Sequence, residues 1–258
     1  MMRSVFRPAQ LPDAGILDDH RPLIADLERR RLLRGGLSLG ALTMLTGCNI
    51  SNAESVQSAL NAVSALNDRV QSWLFRPEKL APTYPASMVL KPPRFNAYYP
   101  IGKVRPVDGA AWKLEVAGRV ADRTPWTIPR LSALPQQDEV IRHICVEGWD
   151  YVGQWSGPTL RAFLQAVGAD LRALYVVFQT ADDYPSCIDM ATALHPQTLL
   201  ATGYAGEILA DPFGFPLRLR TSTKLGFKNP KWITSIEVTN TYVSGYWEKT
   251  GFNWFSGL

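Results

Sequence analysis

From about Phe95 onward the sequence is cut into short apolar segments by turn residues, and this punctuation limits the fold more than any other feature. Trp112, Leu114 and Val116 alternate with Lys113, Glu115 and Ala117, the period of two that marks a half-buried strand. Residues 140–146 predict a second strand. Gly157-Pro158-Thr159 opens a helix in which Leu160, Phe163, Leu164 and Val167 share one face, and Gly168 closes it. The run YVVFQT (175–180) is apolar on both faces and stops at Asp182-Asp183, as a buried strand does; further strands are predicted over 216–220 and 233–239. Strands and helices mix without a regular βαβ repeat, so the fold class is α+β with mixed sheets, and 46% apolar residues in 258 supply a sizeable core.

The first fifty residues read as an address. RRRLLR (29–34) precedes GGLSLGALTMLTG (35–47) and then Cys48. A basic segment, a short apolar stretch and small residues before a cleavage point are the parts of a secretory signal. An apolar run of 13 residues is short of the ~20 that a spanning helix needs. Arg29, Arg30, Arg31, Leu32, Leu33 and Arg34 follow the twin-arginine order, and Leu45-Thr46-Gly47-Cys48 resembles a lipoprotein box with Cys48 as the lipidated residue. Residues 1–48 are therefore expected to be a twin-arginine signal with a lipobox, placing the protein on the periplasmic side of a bacterial inner membrane; the 28 residues before the arginines leave a later start open. With those arginines removed from 27 Lys+Arg against 23 Asp+Glu, the remaining chain is near neutral, and it lacks the basic stripe of a nucleic-acid-binding domain.

Residues 49–94 are expected to form a tether followed by an extended Pro-rich segment. Val56, Leu60, Val63, Leu66 and Val70 recur near the helical period within 49–72, and the six prolines between Arg76 and Pro100 predict an extended segment that wraps the domain. Residues 95–258 form the expected single domain.

If Cys48 is lipidated, Cys145 and Cys187 remain, and in an oxidising compartment they could pair as a disulfide. The other reading makes Cys145 a thiolate ligand to a metal, for which the polar and aromatic neighbours Arg142, His143, Glu147, Trp149, Asp150 and Tyr151 are a suitable setting. Lys224, Lys228 and Lys231 recur in a Gly/Pro-punctuated stretch that by itself reads as a solvated basic loop sooner than as an anion site.

RHICVEGWDYVGQWSG (142–157) resembles the cofactor-cysteine segment of the sulfite oxidase-like molybdopterin domains, and within them the periplasmic methionine sulfoxide reductase catalytic subunits. FNAYYPIG (95–102), ATALHPQTLL (191–200) and GFPLRLRTSTKLGFKNPKWI (214–233) resemble three further segments of that family in the same order. The resemblance implies a sulfite oxidase-type fold, a molybdenum-molybdopterin cofactor and Cys145 as the metal's protein ligand. It places Asn96, Tyr99, Pro100 and Thr180 against the pterin, Arg218 at the anion, and Asn229, Pro230 and Lys231 in the closing loop. Guanidinium and ammonium groups suit a phosphate. Phe213 stands where relatives have a polar residue, so one pterin hydrogen bond is expected to be missing or supplied by Asp211. The family's dimeric sulfite oxidases add an immunoglobulin-like domain; a chain that stops at Leu258 is expected to lack it and to be monomeric.

The implied reaction is two-electron oxygen atom transfer. Trp149, Tyr151, Asp182, Asp183 and Tyr184 are expected to line the pocket, with Tyr184 as the candidate proton donor, although Asp182-Asp183-Tyr184-Pro185 also has the composition of a plain turn. Acids and aromatics after Cys145 and Thr180 favour a neutral or peptidic sulfoxide, or another S- or N-oxide, over sulfite. A membrane haem protein is the expected electron partner, since the chain has no haem or dinucleotide motif of its own. The alternatives are sulfite dehydrogenase chemistry and a non-catalytic lipoprotein binding module.

Overall fold

A computed structural model describes residues 54–258. The expected signal and lipobox lie outside the described residues. The chain divides at Ala62/Val63, inside the first helix, and Val63–Leu258 forms one compact unit. That helix, α1, runs Glu54–Leu74.

Two four-stranded sheets and a two-stranded ribbon build the unit. The strands are β1 Glu115–Gly118, β2 Gln136–Ile144, β3 Asp150–Pro158, β4 Tyr175–Thr180, β5 Ser186–Asp189, β6 Thr198–Ala201, β7 Gly203–Tyr204, β8 Glu207–Ile208, β9 Arg218–Thr221 and β10 Ile233–Thr239. One sheet has the order β1-β10-β4-β5, the other β2-β3-β7-β8, and β6 pairs with β9. Only β1 and β10 pair in parallel; the rest are antiparallel. Short helices α2 (Ile128–Ser132), α3 (Leu160–Ala166) and α4 (Met190–Ala193) punctuate the strands. The fold is thus the α+β arrangement with mixed sheets that the punctuation predicts.

Local chemistry explains each boundary. Thr159 caps α3 by accepting from the Ala162 N–H at 3.1 Å, and Leu160, Phe163 and Leu164 are buried beneath it. Each such side chain stabilises the fold by about 1.5–3 kcal/mol. Asp189 caps α4 in the same way. β2 starts at Gln136, earlier than the apolar residues 140–146 suggest, because its polar first half is a paired strand, with Gln136 opposite Pro158. β3 has no clear period in the sequence because glycines interrupt it. At Gly157 a Cβ would sit 2.1 Å from the Leu200 carbonyl oxygen, so only glycine lets β6 approach there.

The proline-rich segment runs along the unit and is hydrogen-bonded to it. Tyr84 N–H donates to the Val140 carbonyl at 3.0 Å and Leu90 N–H to the Val152 carbonyl at 2.9 Å. The part of α1 from Val63 and the proline-rich segment both fall within the compact unit.

Candidate active site

β2 and β3 form a hairpin whose turn carries Cys145. Cys145 N–H donates to the Trp149 carbonyl at 2.9 Å, Gly148 N–H donates to the Cys145 carbonyl at 3.2 Å, and Gly148 takes the left-handed conformation (φ +86°) that closes the turn. The thiol faces a cavity of about 320 Å³. Asn96, Tyr98, Glu147, Asp182, Tyr184, Phe227, Asn229, Pro230, Lys231, Trp247 and Phe252 share its wall with Cys145. Cys145 and Cys187 are both free, so the disulfide alternative is not formed. Burial raises the Cys145 thiol above its ordinary range.

Behind the cavity lies a group of buried cations. Arg218 and Arg220 project from the same face of β9, and both are 1% exposed. Arg218 donates to the Phe213 carbonyl at 2.9 Å and lies over the Trp155 ring, but its Nε and Nη2 have no partner. Arg220 is held by the carbonyls of Arg142 and Thr221 and by Asn229 Oδ1, leaving Nε unpartnered. Lys231 Nζ donates to the Asn96 carbonyl at 2.7 Å. No carboxylate pairs with any of the three among the described residues. Burial lowers the Lys231 ammonium to about 6, with Arg218 adding to the effect, and Arg220 to about 10. His143 and Tyr151 are buried beside them, and both imidazole nitrogens and the phenol oxygen also lack partners. Burial, then the neighbouring arginines, drives His143 well below its usual value and keeps it neutral. Uncompensated buried charge is costly. This cradle is built for a ligand that brings negative charge and several hydrogen-bond acceptors.

The sequence-predicted residues divide between these places. Cys145, Asn96, Tyr184, Asn229, Pro230 and Lys231 line the cavity, and Arg218 stands in the cradle. Thr180 ends β4, and its Oγ1 accepts from the Tyr184 N–H at 2.8 Å, clamping the turn that follows. Tyr151 does not line the cavity. Strand alternation turns Asp150 outward to pair with Arg142 at 2.5 Å and sends Tyr151 inward to the cradle. Asp183 also lies elsewhere: its left-handed backbone (φ 57°) directs it to a neighbouring space of about 410 Å³, which Tyr99 shares. Asp182 lines both spaces and accepts from the Tyr99 hydroxyl at 3.0 Å, while its Oδ1 is buried without a partner. Pro100 caps a 3₁₀ turn (Ile101–Lys103) and is exposed. Trp149 stays outside the cavity wall and donates to Glu147 at 2.7 Å. Tyr184 donates its hydroxyl to the Phe227 carbonyl at 2.8 Å, and burial holds that phenol far above its ordinary range. At position 213 the chain contributes a backbone carbonyl instead of a polar side chain, and the Asp211 carbonyl accepts from the Trp232 indole at 2.8 Å.

Arg220 is the main residue that the sequence reading misses. The signal is the i, i+2 spacing in Arg218-Leu219-Arg220 once the segment is a strand. The aromatic C-terminal segment 246–258, whose sequence reads as folding back over the domain or rimming the cleft, rims the cavity with Trp247 and Phe252.

Residues 101–247 match the family described as the oxidoreductase molybdopterin binding domain. A putative protein-methionine-sulfoxide reductase subunit of Azospira oryzae is 56% identical over 229 residues, covering 89% of this chain and 87% of that protein. The protein-methionine-sulfoxide reductase catalytic subunit of Campylobacter jejuni is 30% identical over 154 residues, covering 53% of this chain and 52% of that protein. Among solved structures, the sulfane dehydrogenase of Paracoccus pantotrophus superposes with a TM-score of 0.52 at 17% identity, over 55% of this chain and 41% of that one; the likeness is one of fold.

Proposed function

From the premise that this chain belongs to the oxidoreductase molybdopterin binding domain family and is a molybdopterin-dependent oxidoreductase, we propose that it reduces methionine sulfoxide in proteins on the periplasmic side of the inner membrane. The observation that carries the substrate class is the wall of the Cys145 cavity: Tyr98, Tyr184, Phe227, Trp247 and Phe252 supply aromatic surface, and Glu147 and Asp182 supply acids. Lys231 is the one basic side chain in the wall among the described residues, and its Nζ is engaged by the Asn96 carbonyl. An anion such as sulfite would meet carboxylates there, whereas a neutral thioether S-oxide meets apolar rings and hydrogen-bonding groups.

The buried cradle fits the cofactor. Arg218, Arg220 and Lys231 supply charge-assisted donors for a phosphate, and His143 and Tyr151 offer unpartnered polar atoms beside them. Cys145 supplies the thiolate to the metal. When bound, the molybdenum cofactor contributes two-electron oxygen atom transfer. Reduction of a sulfoxide takes two electrons and two protons and releases water, so the protein must also deliver protons to the departing oxygen. The geometry favours the Asp182 carboxylate over Tyr184 as the relay that passes solvent protons to that oxygen. The Tyr184 hydroxyl is held by the Phe227 carbonyl and made less acidic by burial, while Asp182 Oδ1 is buried at the cavity wall without a partner. Tyr98 packs at 4.5 Å from Tyr246 and 6.0 Å from Tyr184, measured between ring centroids, and the three rings form a stacked aromatic wall.

Residues 29–34, 35–47 and Cys48 support export by the twin-arginine route and anchoring through a lipidated Cys48. A membrane haem protein is the proposed electron donor. The test is turnover of natively exported protein with an artificial reductant on peptide methionine sulfoxide and, in parallel, oxidation of sulfite. Sulfoxide reduction that Cys145→Ser abolishes, with sulfite left untouched, is the expected result; efficient sulfite oxidation would overturn the substrate assignment.

A further inference from the structure

α1 is amphipathic, but its polar side faces the protein. Ser64, Asp68 and Gln71 recur one helical turn apart and are half-buried. Asn253 Nδ2 donates to the Ser64 carbonyl and hydroxyl, both at 3.1 Å. Phe255 N–H donates to Asp68 Oδ1 at 3.0 Å, and Gly257 N–H donates to Gln71 Oε1 at 3.1 Å. The opposite side carries Val63, Leu66, Val70, Trp73 and Leu74, all turned outward; Leu66 is 57% and Trp73 is 81% exposed. A helix that spends its polar face on the protein and offers a continuous apolar stripe to the exterior needs a second surface to cover it.

What precedes the helix says which surface. Glu54, the first helical residue, is six positions after Cys48, so a lipid on that cysteine holds the start of α1 within about 20 Å of its attachment point. Exposed Arg69 and Arg76 border the stripe, and Trp73 stands near its end. Cations beside a tryptophan-bearing apolar face are the composition of a helix that lies along an anionic bilayer interface. At that distance from a lipid anchor, the bilayer is the surface the stripe meets first.

We propose that α1 lies on the phospholipid surface, with Val63, Leu66, Val70, Trp73 and Leu74 set into the headgroup and acyl boundary and Ser64, Asp68 and Gln71 fastening the enzyme to it. This rests on the reading that Cys48 is lipidated. It also orients the site: Trp247 and Phe252, which rim the Cys145 cavity, lie just before residues 253–257, which hold the helix. The mouth of the cavity therefore has a fixed attitude to the membrane.

The test uses the full, cofactor-loaded, exported chain in vesicles of phosphatidylethanolamine and phosphatidylglycerol with no other protein. A nitroxide is placed at Leu66→Cys, Trp73→Cys or, as a control outside the stripe, Ser72→Cys, with molybdenum content confirming that each variant folds. Oxygen accessibility relative to a water-soluble nickel chelate should be several-fold higher at 66 and 73 than at 72. Equal, water-like values at all three overturn the proposal. Protection at 66 and 73 that develops only when a membrane haem protein is added also overturns it and assigns the face to that partner. The mass of the N-terminal peptide is read on the same sample. An absent lipid with labels inside the bilayer removes the anchor and keeps the helix, whereas a lipid present with labels in water removes the helix and keeps the anchor.

Discussion

The stretch 216–231 contains two groups of buried cations that solve the same problem in opposite ways. Lys224 and Lys228 each have a carboxylate: Lys224 Nζ lies 3.0 Å from Asp189 Oδ2, within ion-pair distance though not aligned as a hydrogen bond, and Lys228 pairs with Glu248 and donates to the Cys187 carbonyl at 2.9 Å. The Lys224 ammonium also sits on the Phe255 ring. Arg218, Arg220 and Lys231 have only neutral carbonyl or amide partners. A cation with its own acid is a rivet; a cation without one is waiting for an anion. The same residue types in one basic segment are thus structural or ligand-binding according to what faces them, and the sequence spacing of Lys224, Lys228 and Lys231 does not separate the two roles.

The comparison is broken most directly at Arg218. Arg218→Leu should abolish retention of the cofactor, read as molybdenum per chain, while the cofactor-free protein stays folded, because the substitution removes a buried charge that nothing in the protein compensates. An Arg218→Leu protein that keeps its metal would sink the cradle assignment. Lys228→Met should do the reverse. It leaves Glu248 buried and alone, which costs about 3–5 kcal/mol in denaturant unfolding, yet the folded fraction should still bind molybdenum; Lys228→Met with Glu248→Leu should recover most of the loss.

A smaller effect is expected with pH. In the cofactor-free protein the Lys231 ammonium is lowered from 10.5 to about 6, so between those values the unfolded chain binds a proton that the folded chain releases. Stability of the cofactor-free protein should therefore rise with pH across that window, with the full penalty present below about 6. Thermal unfolding of Lys231→Met should lack this part of the slope, and so should the loaded protein, in which a phosphate faces the ammonium. The smallest effect is expected at Tyr184, whose hydroxyl serves the Phe227 carbonyl: Tyr184→Phe should keep turnover within about threefold and lose about 1 kcal/mol of stability. A loss of turnover a hundredfold or more, with the fold intact, would return Tyr184 to the role of proton donor.

Much of this was legible in the sequence where local chemistry dictates structure. The capped helix at Thr159, the run Tyr175–Thr180 and the strand Ile233–Thr239 are written in period and punctuation, and they occur with those bounds. The cysteine turn and the closing loop carried their own motifs. What was not legible depends on pairing between distant segments. β3 gains its identity from β2 rather than from a period of its own, and Tyr151 and Asp183 are placed by strand alternation and a left-handed turn. Arg220 joined Arg218 in the buried cradle only once the segment was fixed as a strand.

The fastening of α1 to the last residues has an entropic meaning as well. Its hydrogen bonds join positions 186 to 189 residues apart, among the longest sequence separations in the described chain. Contacts of such high order cost the most loop-closure entropy to form. Trp247 and Phe252 stand immediately before the fastened segment, so the order of the cavity mouth depends on a helix from the far end of the described chain.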